Sequence, residues 1–313
     1  MSDRLRTALV GLGHMGRLHA RTIHAHPQFQ LVACHDRSEE RCADIARRYA
    51  VAGTRAPEQL LSFDPELVVV ATSTGSHAEL AAPLLAAGVA VLVEKPIDAT
   101  VAQALVLRAA AERSGAPLLV NYTEFFHPAV AVVDALVRAG ELGVVESVAI
   151  RRVRPPLAQD RGAGSGALWE CFTHDAYHLL HWFLPAAPEV GPEAMSEVST
   201  HEHPGPTVRS GVSTSGTFRL GGIAVVFEVG WAAPEIVRTT RFLGSKGSVA
   251  IDYLSDHLVL NGRAQALPGG GKDNITRVYD AVAGRLLAGV PYPISIERSI
   301  SSMRLCEQLA RGG

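Results

Sequence analysis

Six residues near the N-terminus limit what this chain can become. Thr7-Ala8-Leu9-Val10 is a short apolar strand. It runs directly into Gly11-Leu12-Gly13-His14-Met15-Gly16, and a helical pattern continues through Ile23. Glycines in the order GxGxxG between a strand and a helix have three separate jobs: Gly11 permits a tight turn, Gly13 lets the backbone approach a pyrophosphate, and Gly16 lets the helix lie close on the strand. The helix N-terminus, with His14 and Met15, then offers unpaired N–H groups to phosphate oxygens. A second strand, residues 30–35, ends at Asp36, roughly 20–25 residues beyond the glycines, where a ribose-binding carboxylate is expected. Gly11, Gly13, His14, Met15, Gly16 and Asp36 therefore predict a dinucleotide site. Asp36 favours NAD, because a carboxylate accepts from both ribose hydroxyls and repels a 2′-phosphate. Arg37 keeps NADP open as the alternative: it can stack on adenine, pair with a 2′-phosphate, or stand in solvent.

Helices and strands then alternate: helix 38–50, strand 67–71, helix 78–87, strand 90–93, helix 99–114 and strand 116–121. This order predicts an α/β fold, a Rossmann-type doubly wound parallel sheet over residues 1–122. Ligands of such sheets bind beyond the carboxyl ends of the strands. The loop Thr72-Ser73-Thr74-Gly75-Ser76-His77 lies at one such end, which places Thr72, Ser73 and His77 among the cofactor residues; His77 is equally suited to cap the next helix. Strand 90–93 ends in Glu94-Lys95-Pro96. A lysine there faces a bound ligand, and desolvation makes its proton easier to move near neutral pH. The plainer alternative is a surface lysine closing a strand beside a turn proline. Glu94 is expected to hold Lys95 or to meet the cofactor carboxamide.

The segments GLGHMGRLHA, ATSTGSHAELAAPLLAAGVAVLVEKP and VNYTEFFHPAV resemble the glucose–fructose oxidoreductase/inositol dehydrogenase (Gfo/Idh/MocA) family, and the likeness covers essentially the whole chain. The resemblance implies that Lys95 carries acid/base chemistry at the hydroxyl being oxidised and that Lys95–Pro96 is a candidate cis peptide. It also implies an acid followed four residues later by a histidine, a pair that falls on Glu170 and His174. One helical turn apart, they share a face, so the acid can orient the imidazole while the ring exchanges a proton with substrate. Two departures concern the substrate. The family's acid is commonly Asp, and many relatives carry a further acid where this chain has Tyr177, followed by His178. Tyr122, Arg152, Tyr177 and His178 join Lys95 and His174 as expected substrate residues, Arg152 being one of three arginines (with Arg151 and Arg154) on a long strand.

Residues 123–313 read as an α+β domain for substrate binding and oligomerisation. A helix opens at Pro128 and runs to about 139, followed by strand 144–154 and an irregular connection over 155–166. From 192 the chain is strand-rich, with strands 207–220, 222–231, 236–243, 248–253 and 257–260 joined by short turns. These predict a large, mainly antiparallel sheet laid out as a meander, with one face open for a substrate or for a partner subunit in a homodimer or homotetramer. Two helices, near 275–288 and 294–310, close the chain.

Glu170, His174, His178 and His181 recur at spacings of four, four and three, a pattern that can gather metal ligands. No metal is expected, because no separate ligand cluster exists beyond His201 and His203 and the fold supplies its own cofactor. A net charge of −2 argues against nucleic acid as a partner, and no apolar run approaches the ~20 residues that cross a bilayer. Four scattered cysteines without CxxC spacing suit a reducing, cytoplasmic location. The expected activity is that of an NAD(P)-dependent dehydrogenase or reductase acting on CH–OH groups of a sugar, inositol or related cyclic polyol. The same fold also serves NAD-dependent glycoside hydrolases and non-catalytic nucleotide-binding regulators, which stand as the alternatives.

Overall fold

The structure, a computed structural model, describes residues 4–156, 166–187, 189–204, 212–269 and 271–312. Tertiary contacts divide the chain into two compact units. One is the chain up to Thr123 together with Lys272–Ile300; the other runs from Glu124 to Gly271 and resumes at Ser301. A single boundary after residue 122 does not describe this return of residues 272–300. The apolar face of a helix shows that it is buried without showing against which unit.

In the first unit, strands β1 (Leu5–Val10), β2 (Phe29–His35), β3 (Ala52–Thr54), β4 (Leu67–Val70), β5 (Ala90–Glu94) and β6 (Leu118–Asn121) form one sheet in the order β3-β2-β1-β4-β5-β6. Every pairing is parallel. Each residue of β4 and β5 is buried, as continuous apolar runs must be when a sheet is covered on both faces. The crossovers carry α1 (His14–Ala25), α2 (Glu39–Tyr49), α3 (His77–Ala86) and α4 (Val101–Ser114). Their ends are set locally. Ser38 Oγ accepts from Arg41 N–H at the start of α2, Thr100 Oγ1 accepts from Gln103 N–H at the start of α4, and Gly115 ends α4 at φ 70°. Helix α7 (Asn274–Ala288), capped by Asp273, belongs to this unit. Strand β3 escaped the sequence because Ala-Gly-Thr carries no apolar run.

The second unit holds α5 (Pro128–Arg138), β7 (Val145–Val153), α6 (Thr173–Phe183), β8 (Met195–Pro204), β9 (Val212–Leu220), β10 (Ile223–Gly230), β11 (Val237–Gly244), β12 (Ser248–Asp252), β13 (His257–Leu260), β14 (Arg263–Ala266) and most of α8 (Ile296–Arg311). Its eight strands lie in the order β14-β13-β12-β11-β7-β10-β9-β8. Most pairs are antiparallel, but β10 pairs with β7 in parallel, which corrects the simple meander. Alternation reports which face a strand buries, not which strand lies beside it, so the insertion of β7 at the centre was not legible. Residues 157–165 of the 155–166 connection and 207–211 of the expected strand 207–220 lie outside the described residues.

One face of this sheet is packed. Phe218, Val225, Phe227, Phe242 and Ile251 meet Val130, Val133, Phe172, Leu180 and Leu305 from the helices. Val226, between Val225 and Phe227, is on the other face and half exposed, as expected for a strand with one solvated side. Among the described residues, no helix is long and apolar enough to cross a membrane. Phe227 is buried, with its ring 4.7 Å from that of Phe172. Phe227→Ala is expected to cost about 3–5 kcal/mol, read from urea unfolding midpoints at constant slope.

Candidate functional site

The glycine loop of the first unit is shaped by what each missing side chain leaves room for. Gly11 has φ +86°, and a Cβ there would lie 2.6 Å from the Ala71 carbonyl oxygen; at Gly16 a Cβ would lie 1.9 Å from the Gly11 carbonyl oxygen. Both positions exclude any larger residue. Gly13 differs: a Cβ there would meet nothing within 4 Å, and Gly13 is the N-cap of α1 with no side chain covering the helix end. The open space above Gly13 and the bare helix N-terminus fit the pyrophosphate of a dinucleotide. Asp36 stands beside them. Leu12 N–H donates to its Oδ2 at 2.6 Å and Ser38 N–H to its Oδ1 at 2.8 Å. The carboxylate is thus anchored to the loop, and each oxygen keeps a lone pair for a ribose hydroxyl. Arg37 and His14 are exposed, and Met15 is partly buried.

At the ends of β4 and β5 the sequence-selected residues take different places. Ser73 is exposed and Thr72 partly buried, with Ser76 Oγ donating to Thr72 Oγ1 at 2.9 Å. His77 is buried, its Nδ1 3.2 Å from the Pro96 carbonyl oxygen and its Nε2 3.4 Å from that of Thr72. It ties two loops together. Asp98, which the sequence did not single out, reinforces the tie by accepting from Ala78 N–H at 2.7 Å and Ala99 N–H at 2.6 Å. The Lys95–Pro96 peptide between these anchors is cis. Among residues 90–98, Lys95 alone is not buried. Glu94 is buried, with Oε1 2.8 Å from His19 Nε2 and accepting from Asn121 Nδ2 at 2.8 Å. Burial opposes its charge, yet the hydrogen bond and charge of His19, the Asn121 amide and the Lys95 charge hold its carboxyl below the usual value.

In the second unit, residues 168–172 form a π turn that leads into α6. Glu170 lies in the π turn and His174 one turn on, both partly exposed; among residues 173–180, His174 alone is not buried. Asp175, Tyr177 and His178 turn inward. Asp175 receives Arg152 in a two-pronged pair at 2.7 and 2.9 Å, and Arg152 also reaches Glu124 Oε2 at 2.5 Å. Burial works against the Arg152 charge, but Asp175 and Glu124 hold its proton well above the usual range. Glu124, bonded as well to Arg238 at 3.2 Å, is kept far below the usual carboxylate range: burial opposes its charge and is outweighed by Arg152, His174, Arg238 and His178. Arg152 is therefore held by carboxylates in the interior. Tyr177 packs edge-on against Phe125, and His178 stacks on Tyr253 and hydrogen-bonds its hydroxyl at 3.2 Å. Tyr122 of the first unit is likewise fully buried. Among the described residues, no three His, Cys, Asp or Glu side chains are grouped to hold a metal.

These features define a dinucleotide-binding Rossmann protein with a second α+β unit, and comparison with known proteins agrees. Residues 5–122 match the model of the oxidoreductase family with an NAD-binding Rossmann fold, and residues 130–250 match the GFO/IDH/MocA C-terminal domain. The chain belongs to the Gfo/Idh/MocA family. It is 31% identical over 182 residues to the myo-inositol dehydrogenase Hyg17 of Streptomyces leeuwenhoekii, a match covering 57% of this chain and 55% of that enzyme. The match thus spans about half the length of this curated relative. Among solved structures, GenD2 from gentamicin A biosynthesis, in complex with NAD, superposes with a TM-score of 0.84 at 25% identity, covering 100% of this chain and 95% of that one. The UDP-N-acetylglucosamine 3-dehydrogenase GnnA of Acidithiobacillus ferrooxidans shares the fold, with a TM-score of 0.85, 20% identity and coverage of 99% and 97%.

Two outcomes follow from the geometry. Gly13→Ala should leave thermal stability unchanged while weakening NADH binding roughly tenfold or more, because the methyl occupies the pyrophosphate approach; Gly16→Ala should cost at least about 3 kcal/mol of stability. Fluorescence titration and thermal melts separate the two. The second concerns pH. Burial, with the Arg152, His181 and His127 charges and against the pull of Glu124, pushes the His178 imidazole down to about 3 from 6.5. The unfolded chain therefore binds a proton that the fold refuses, so stability falls as pH drops below 6.5. His178→Gln should remove about 2–3 kcal/mol of this loss between roughly pH 6.5 and 4.5, read as the wild-type-minus-variant difference in urea unfolding.

Proposed function

We propose that this protein is an NAD(P)-dependent oxidoreductase that interconverts a secondary alcohol and a ketone on a sugar, inositol or related cyclic polyol. One pattern carries this reading. A side chain able to move a proton is the one residue not buried in each of two stretches: Lys95 within residues 90–98 of the first unit and His174 within residues 173–180 of the second. A bound nicotinamide supplies the hydride acceptor or donor. Lys95 Nζ takes the substrate hydroxyl proton during oxidation and returns it during reduction, while His174 hydrogen-bonds the same oxygen. Glu170, one turn earlier, orients the imidazole. Lys95, His174 and Glu170 are thus the proposed catalytic set. Tyr122, Arg152, Tyr177 and His178, read from the sequence as substrate residues, are buried.

The anchored Asp36 carboxylate supports NAD, with NADP as the alternative through exposed Arg37. The likeness to a myo-inositol dehydrogenase supports the polyol substrate class. The open sheet face, on which Val226 and Leu243 are half exposed, supports a homodimer or homotetramer. Four cysteines, none of them in a disulfide, support a cytoplasmic location.

The test is a panel of inositols, sugars and nucleotide sugars with NAD and NADP, followed by nicotinamide absorbance. Turnover is expected from the wild-type protein, with Lys95→Ala and His174→Ala each lowering kcat by roughly 10²–10⁴-fold while NADH still binds. Full activity in Lys95→Ala would end the acid/base assignment. Product formed without absorbance change, with cofactor retained, would favour the glycoside-hydrolase form of the chemistry.

A further inference from the structure

A buried chain of polar groups in the first unit has no part in the mechanism above. His19 lies on the buried face of α1 with Gly16, Ala20 and Ile23 and is fully enclosed. Each ring nitrogen is 2.8 Å from an oxygen: Nδ1 from the Tyr279 hydroxyl, on α7, and Nε2 from Glu94 Oε1, at the end of β5. An ionised carboxylate only accepts, so Nε2 carries the proton directed at Glu94. Burial and the Glu94 charge hold the Tyr279 phenol well above its usual value, so the hydroxyl keeps its proton beside Nδ1. Hydroxyl, imidazole and carboxylate thus form one continuous hydrogen-bonded chain.

Its end point is fixed from two further sides. Asn121, opposite Glu94 in the β5–β6 register, donates to Oε1, and the Lys95 N–H donates to Oε2 at 3.3 Å. A lone carboxylate in this interior would carry an uncompensated desolvation cost; here three donors hold it in one orientation. The group held so firmly is the immediate neighbour of Lys95.

We infer that Tyr279 and His19 are positioning residues for Lys95: they fix the Glu94 carboxylate, which in turn sets the backbone and the local charge from which Lys95 works. Neither residue touches substrate or cofactor in this role. The arrangement follows the logic by which a buried acid holds a catalytic imidazole, with the order reversed, so that an imidazole holds the acid beside a catalytic amine. The inference rests on the proposed function of Lys95.

Tyr279→Phe and His19→Gln test it. The first removes one oxygen from a buried ring; the second keeps an N–H that can reach Glu94. The chain has only three lysines, Lys95, Lys246 and Lys272, so reductive ¹³C-methylation yields a small set of signals, with that of Lys95 assigned by its loss in Lys95→Arg. Both variants should fold and bind NADH within about twofold of wild type, and kcat on the best panel substrate should fall roughly 10- to 100-fold at little-changed KM. The Lys95 methyl signal should move while those of Lys246 and Lys272 stay. A Lys95 signal and a kcat unchanged in folded Tyr279→Phe would overturn the inference, as would a loss of kcat that only tracks a loss of NADH binding. If the wild-type protein turns over nothing in the panel, the functional reading fails by itself, and the NMR comparison still decides whether the chain positions Lys95.

Discussion

Where α1 meets the end of β1, Gly16 rests so near the Gly11 carbonyl that one methyl group would sit 1.9 Å from the oxygen. This close approach organises the first unit. It brings the helix N-terminus over the strand end, leaves open space at Gly13, and lets the next strand deliver Asp36 to the same loop. Because all six strands are parallel, every other carboxyl end falls on the same edge. Thr72, Lys95 and Asn121 follow from that single geometric commitment.

Charge is handled in the same way in both units. Glu94 in one and Glu124, Arg152 and Asp175 in the other lie in the interior, and each has partners within hydrogen-bonding distance. An isolated buried charge costs several kcal/mol, so such groups persist only in networks. The networks hold the main chain around Lys95 and the inner side of α6, leaving Lys95 and His174 as the partly exposed groups. His77 and Asp98 complete the bracing by joining the loops after β4 and β5. A rigid surround is what the acid–base role proposed for Lys95 and His174 requires.

The legible and illegible parts of the site divide by sequence distance. The glycines, Asp36 and Lys95 stand out in the sequence because the signals that select them are local: a turn that needs φ > 0, an acid at a strand end, a lysine after a buried run. His19 and Tyr279 are 260 residues apart, and nothing in either neighbourhood marks them as partners. A histidine at a core position of α1 was the one signal, and it required knowing which face the helix buries. Glu124 sits in an apolar Tyr-Thr-Glu-Phe-Phe run whose meaning depends on Arg152 and Arg238. Tyr177 and His178 were expected beside the substrate from their place after His174, but successive helical residues point in different directions, and these two turn into the core.

By itself the sequence determined the fold class, the dinucleotide loop and the identity of the accessible lysine, because strand–turn–helix chemistry is dictated by neighbours a few residues apart. Only the tertiary structure decided that β7 lies parallel to β10, that residues 272–300 return to the first unit, and that Arg152 is bound by Asp175 and Glu124. It also decided what surrounds Glu94. In the sequence that acid is expected to hold Lys95 or to meet the cofactor carboxamide; in the fold its carboxylate is surrounded by His19, Asn121 and the Lys95 backbone. Pairing between distant groups depends on which surfaces are buried together, and that is a property of the packed chain.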